Sequence, residues 1–147
     1  MAKLRDWPAR TLSGNRAAVQ GFTLKSNETF KAGDLVDLDG NEDVLEVSGA
    51  DPTPILGMAA EDAANVARAG WCQVYLSNGD TVFAMQGDND PTADDVNQEY
   101  GIIEDGDGIY TVDGTESGNK RVRVLDVDTN RNLYFVIFLD AHRVFKA

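Results

Sequence analysis

FKAGDLVDLDGNEDVLEVSGADPTPILGMAAEDAA, Phe30 to Ala64, reads as strand, tight turn, strand, loop, strand and a small-residue segment. Val36 and Leu38 alternate with Asp37 and Asp39, so one strand face is apolar and the other wet. Asp39-Gly40-Asn41 signals a turn, because Gly and Asn tolerate positive φ at little cost. Val44, Leu45 and Val47 resume the apolar pattern. Pro52 and Pro54 then interrupt the ladder, since neither donates a backbone N–H. Ile55-Leu56-Gly57-Met58-Ala59 reads as a short buried run. The stretch is built for packing, and no catalytic arrangement stands out in it.

Working outward, the same punctuation continues. Gly21–Leu24 opens the regular body, and Ser26-Asn27-Glu28 turns the chain into the deciding stretch. Ala59–Ala69 is Ala-rich and fits either a short helix closed by Gly70 or a loop between strands. Trp71–Leu76 is a strand, Asn78-Gly79 is the strongest short hairpin signal available, and Thr81–Met85 is the expected return. Thr92 is placed to cap a helix from Ala93 to about Tyr100, with Asp94 and Asp95 in its first turn. Ile109–Val112, Arg121–Val127 and Leu133–Leu139 complete the strands, and Val144-Phe145 closes the chain. Eight or more short strands with frequent turns predict a mainly β fold, a small β-barrel or β-sandwich with one or two short helices. Residues 1–20 show no sustained period and predict an extended basic N-terminal arm. Residues 21–147 form the β-rich body, with 87–147 as an elaborated second half.

The 147 residues suit one domain with an appendage, and an apolar fraction of 42% supplies a core. A single cysteine, Cys72, excludes an intramolecular disulfide framework. There is no run of 18 apolar residues and no signal-peptide pattern, so synthesis in the cytoplasm is expected. Charge is unevenly distributed. Residues 1–25 carry five basic side chains against one acidic, a net of +4, while the remainder carries eight against twenty-four, a net of −16. Such a body repels nucleic acid and anionic membrane, and its arm suits an acidic partner surface.

Candidate chemistry is sparse. Asp126–Asn132 begins like a calcium loop, but Arg131 occupies the position that needs Gly and Ile137 the position that needs Glu. It reads as a polar hairpin tip. Asp37–Asp43 and Asp105–Gly108 read as surface turns. Cys72 and His142 are the only residues of their types; Cys72 sits in an apolar strand pattern, as a structural thiol does. Glu61 and Asp62 paired with Glu104 and Asp105 would resemble a glycosidase pair, with no sign in the sequence that they meet. No phosphate loop, dinucleotide fingerprint or nucleophile elbow is present. The chain is therefore read as a non-enzyme, without metal or other cofactor.

Phe22–Val36, followed by Ile55–Ala59 and Gly70–Val74, resembles the head decoration (capsid cement) proteins of tailed bacteriophages. In those, a "GD-x-V" motif opens a strand, an apolar-Gly-apolar strand follows, and a small-residue segment comes next. The resemblance covers residues 22–86; residues 87–147 match no family pattern. It implies a β-rich protein, often trimeric, on the outer surface of an assembled capsid, with the major capsid protein as partner and no catalytic residues. It also implies an N-terminal arm laid on the shell, which agrees with the charge pattern. Lys3, Arg5, Trp7, Arg10 and Arg16 are the expected shell contacts. The alternative is a carbohydrate- or receptor-binding β module on a virion surface, with Tyr75, Tyr100 and Tyr110 as an aromatic platform.

Overall fold

A computed structural model describes residues 7–11, 18–49, 54–79, 81–104, 110–116 and 118–142. Among the described residues, eleven strands form two antiparallel sheets. The mainly β class expected from the turn spacing is what the chain adopts. The expected short helices are not: only isolated 3-10 turns, Ala93–Asp95 and Asp140–His142, stand beside the strands.

The three strands read in the deciding stretch are present, but the face of β3 expected to be wet is covered: Leu35 lies in the inter-sheet core, and Asp37 shares its side of the strand and is partly buried. β3 (Leu35–Leu38) pairs with β4 (Val44–Glu46) as a hairpin, and with β5 (Gly57–Ala59) on its other side. β6 (Trp71–Leu76) joins β5, and β2 (Val19–Thr23) joins β6. The five-stranded order is therefore β2-β6-β5-β3-β4. This sheet curls until its two edges touch: Leu24 bridges Val44, and the Lys25 N–H donates to the Val44 carbonyl at 3.0 Å. The turn is made differently from expectation. Neither Gly40 nor Asn41 takes positive φ; Glu42 does, at 63°. The Asp39 carboxylate accepts the Asn41 and Asp43 amides and fixes that geometry.

The second sheet runs β1 (Trp7–Thr11), β7 (Thr81–Gln86), β11 (Leu133–Phe138), β10 (Val122–Asp128), β8 (Glu99–Glu104), β9 (Tyr110–Asp113). It also curls, because Gly87 bridges Val112 and the Asp88 N–H donates to the Val112 carbonyl. Within the segment read as an arm, Trp7–Thr11 is thus a strand on the edge of β7 of the same chain. Pro8 is tolerable there because an edge strand has one unpaired side.

Two local expectations are corrected and one open alternative is decided. Asn78-Gly79 does not close a hairpin: β6 belongs to the first sheet and β7 to the second, so the chain changes sheets at this turn. Only Gly79 has positive φ, whereas the two-residue hairpin turn needs it at both positions. Asn78 instead caps Thr81, its Oδ1 accepting the Thr81 amide and hydroxyl at 3.1 Å each. Residues 60–70 take the loop of the two readings, because their amides are bonded outside any helical ladder: Ala60 and Ala63 donate to the Gln73 and Phe30 carbonyls, and Ala67 to the Glu61 carboxylate. The Thr92 helix stops after one 3-10 turn. The Thr92 N–H donates to Asp95 at 2.8 Å, but Asn97 and Gln98 are then bonded to Val124 of β10, and Glu99 begins β8. Barrel pairing overrides helix propensity.

Two cores result. Phe30, Val36, Val44, Leu56, Ala59, Cys72 and Val74 fill the interior of the five-stranded half-barrel. Leu35, Ile55, Met58, Phe83, Met85, Ile102, Tyr134, Val136 and Phe138 fill the space between the sheets. Strands β3 and β5 serve both, since their alternate residues point to opposite faces: Leu35 and Met58 to one core, Val36 and Ala59 to the other.

Candidate functional site

A groove among the described residues lies where the half-barrel stays open. β2 and β4 touch at Leu24 and Val44, but the tip of the β3–β4 hairpin peels away from β2. The open seam is a groove of about 470 Å³ lined by Gln20, Gly21, Phe22, Thr23, Leu38, Asn41, Glu42 and Trp71. Phe22 and Leu38 pack against the half-barrel core and supply an apolar floor. Trp71 opens β6 and is half-buried, with the Arg68 guanidinium 4.5 Å from its ring centre. Glu42 is the one charged residue lining the groove.

The acidic clusters are engaged in building turns. Asp128 accepts the Asn130 and Arg131 amides and an Arg131 Nε bond at 2.7 Å; that guanidinium contact and the amides hold its carboxyl below the usual range. The calcium-like motif is therefore the tip of the β10–β11 hairpin, as its missing Gly and Glu indicate. Asp39 is held low by the Asp43 and Asn41 amides and pairs with Lys25 at 3.5 Å. Asp105–Gly108 and the closing Val144-Phe145 lie outside the described residues. Among the described residues, no three His, Cys, Asp or Glu side chains are grouped to hold a metal ion.

The remaining candidates separate. Cys72 is fully buried in the half-barrel core, and burial together with the Glu61 charge pushes its thiol up to about 11. His142 sits in the last 3-10 turn beside Arg121, its carbonyl accepting the Ile55 N–H. Glu61 has both oxygens on backbone amides. The tyrosine platform is not assembled: Tyr110 is buried and donates to the Gly49 carbonyl, Tyr100 donates to Asp95, and Tyr75 packs against the inter-sheet core. Of the expected shell contacts, Lys3, Arg5 and Arg16 lie outside the described residues, and Trp7 and Arg10 are described by their backbone alone. The groove itself was invisible in the sequence, because it depends on which strands end up as edges. No helix among the described residues is long and apolar enough to cross a membrane.

Fold and groove together define a small two-sheet β domain with a peptide-scale cleft at one edge. No known family model matches the sequence, and no curated protein matches it.

Proposed function

We propose that this chain is a structural decoration protein that binds the outside of an assembled phage head as a homotrimer and bridges neighbouring coat subunits. The observation that carries the proposal is the charge division: a net of +4 over residues 1–25 against −16 over the rest. The basic segment suits an acidic shell, and the anionic body faces outward, away from packaged DNA. The likeness of residues 22–86 to capsid cement proteins supports the same reading, as does the structural employment of Asp39, Glu61, Asp62 and Asp128 in turns and loops. Affinity then comes from many modest contacts multiplied by avidity.

The test is co-sedimentation with purified, undecorated heads. Deleting residues 1–20 would also remove β1, so charge substitution is the cleaner perturbation. Lys3→Gln, Arg5→Gln, Arg10→Gln and Arg16→Gln together remove four rim charges worth roughly 0.2–1 kcal/mol each, so head binding falls by about fourfold or more. Absence of binding by the unaltered protein refutes the function. Full binding by the fourfold variant removes the arm from it.

A further inference from the structure

The groove in the half-barrel seam is bordered by a strand edge with backbone groups left over. In antiparallel pairing, alternate residues direct both their N–H and C=O to the same neighbour. On β2, Ala18 accepts from Leu76 and Leu24 donates to Gly70, so the even-numbered residues face β6. Lys25 donates the other way, to Val44 across the seam. Gly21 and Thr23 share the parity of Lys25. Their N–H and C=O groups therefore point toward the seam, and both residues line the groove. The parallel bridge between Leu24 and Val44 takes the Thr23 carbonyl, which leaves the Gly21 N–H and C=O and the Thr23 N–H without a backbone partner among the described residues. The amides of Asn41 and Asp43 on the facing hairpin tip are already bonded to Asp39. Gly21 has no side chain to screen this edge.

We infer that the seam is a receptor for an extended basic peptide segment of a partner protein, which adds as a strand beside Gln20–Thr23 of β2 and completes the half-barrel. Backbone bonds to Gly21 and Thr23 supply the pairing, as in other strand-addition interfaces. Phe22 and Leu38, on the core side of the sheet, receive alternate apolar side chains, while the Trp71 ring flanks the opposite face. A lysine or arginine is specified because Glu42 is the one charged lining residue and the body around it is strongly acidic. The inference rests on the strand pairing and does not depend on the capsid reading.

Amide hydrogen exchange with an eight-residue peptide of alternating Lys and Val tests it, beside a Glu–Val counterpart and maltohexaose. In the free protein, the Gly21 and Thr23 amides exchange fast while Gln20 and Phe22 are protected. The Lys–Val peptide slows Gly21 and Thr23 by about tenfold or more at saturation, and the Glu–Val peptide does not. Thr23→Pro removes a seam-facing donor without touching the β6 ladder and abolishes the protection of Gly21; Glu42→Gln weakens binding severalfold. A thermal melt checks that each variant folds, and the exchange pattern of the unaltered protein stands if Thr23→Pro does not. Slow exchange at Gly21 and Thr23 in the free protein overturns the inference. So does peptide binding without their protection, equal response to the acidic peptide, or a response to the sugar alone.

Discussion

Replacing Gly57 by alanine puts the architecture under its sharpest strain. Gly57 starts β5, between β3 and β6, and is buried. A Cβ there would fall on the Tyr75 carbonyl oxygen, 2.9 Å from the Tyr75 carbonyl carbon and 3.2 Å from the Leu76 Cα. These are backbone atoms and cannot rotate aside. Relief requires β5 to move off β6, which disturbs the pairs Gly57–Leu76, Met58–Tyr75 and Ala59–Val74. Met58 and Ala59 sit in different cores, so any shift loosens both. Overpacking costs about 1–3 kcal/mol, and weakening one or two ladder bonds adds about 1 kcal/mol each, so about 2–5 kcal/mol is expected. For a chain of this size that lowers Tm by roughly 4–20 °C. Thermal and urea unfolding followed by circular dichroism read the effect against two internal controls. Gly40 has no atom within 4 Å of a built Cβ, so Gly40→Ala stays within about 0.5 kcal/mol. Gly70 is equally open but has φ +80°, so Gly70→Ala loses about 1 kcal/mol. A Gly57→Ala protein as stable as the Gly40→Ala protein would falsify the close packing of β5 on β6.

Glu42 holds a left-handed conformation at φ 63° in an exposed turn, so Glu42→Gly should raise the urea midpoint by the equivalent of about 0.5–1 kcal/mol; a lower midpoint contradicts the turn geometry. Cys72, fully buried with its thiol at about 11, should ignore Ellman's reagent at pH 8 in the folded protein and react with one equivalent in denaturant. Rapid native labelling would place it at the surface instead. Asp37 has one oxygen buried without a hydrogen-bond partner, and desolvation raises its carboxyl above 3.8. A raised carboxyl binds its proton more tightly when folded, so its contribution is most favourable below 3.8 and is lost as pH rises through the raised native value. Urea titrations should therefore show Asp37→Asn gaining on the unaltered protein across that window; a constant gap from about pH 3 to 7 would rule the desolvation out.

What could be read from the chain was whatever local chemistry determines. Val36 and Leu38 alternate with aspartates, and β3 appears where that period says. Asp126–Asn132 lacks the Gly and Glu of a calcium loop, and a hairpin tip is found there. What local chemistry left open or misdirected was decided by distant partners. Ala-rich residues 60–70 fitted a helix or a loop, and Glu61 and Asp62 tie them to Gln73 and Ala32, residues on other segments. Glu99 and Tyr100, expected in the capped helix, join a strand because β10 supplies pairing partners. The groove belongs to the same category. Gly21 and Thr23 carry no unusual side chain, and only the order of strands makes them an unpaired edge.

The change of sheet at Asn78-Gly79 is the consequence that matters most. A hairpin there would have kept β6 and β7 in one sheet. Instead Ser77, the last residue before the switch, fastens the chain to the start of β5: its hydroxyl meets the Ile55 carbonyl at 2.6 Å and the Leu56 carbonyl at 3.0 Å, and its N–H donates to the Leu56 carbonyl. Ile55 lies in the inter-sheet core and Leu56 in the half-barrel core, and the Ile55 N–H is bonded to His142 at the far end of the described chain. One buried serine therefore sits where the two cores meet, against the strand start that also holds the last described turn of the chain. That junction makes the two sheets a single packed unit, and it leaves β2 and the β3–β4 tip, which lie farthest along the half-barrel from Ile55 in strand order, as the edges free to part.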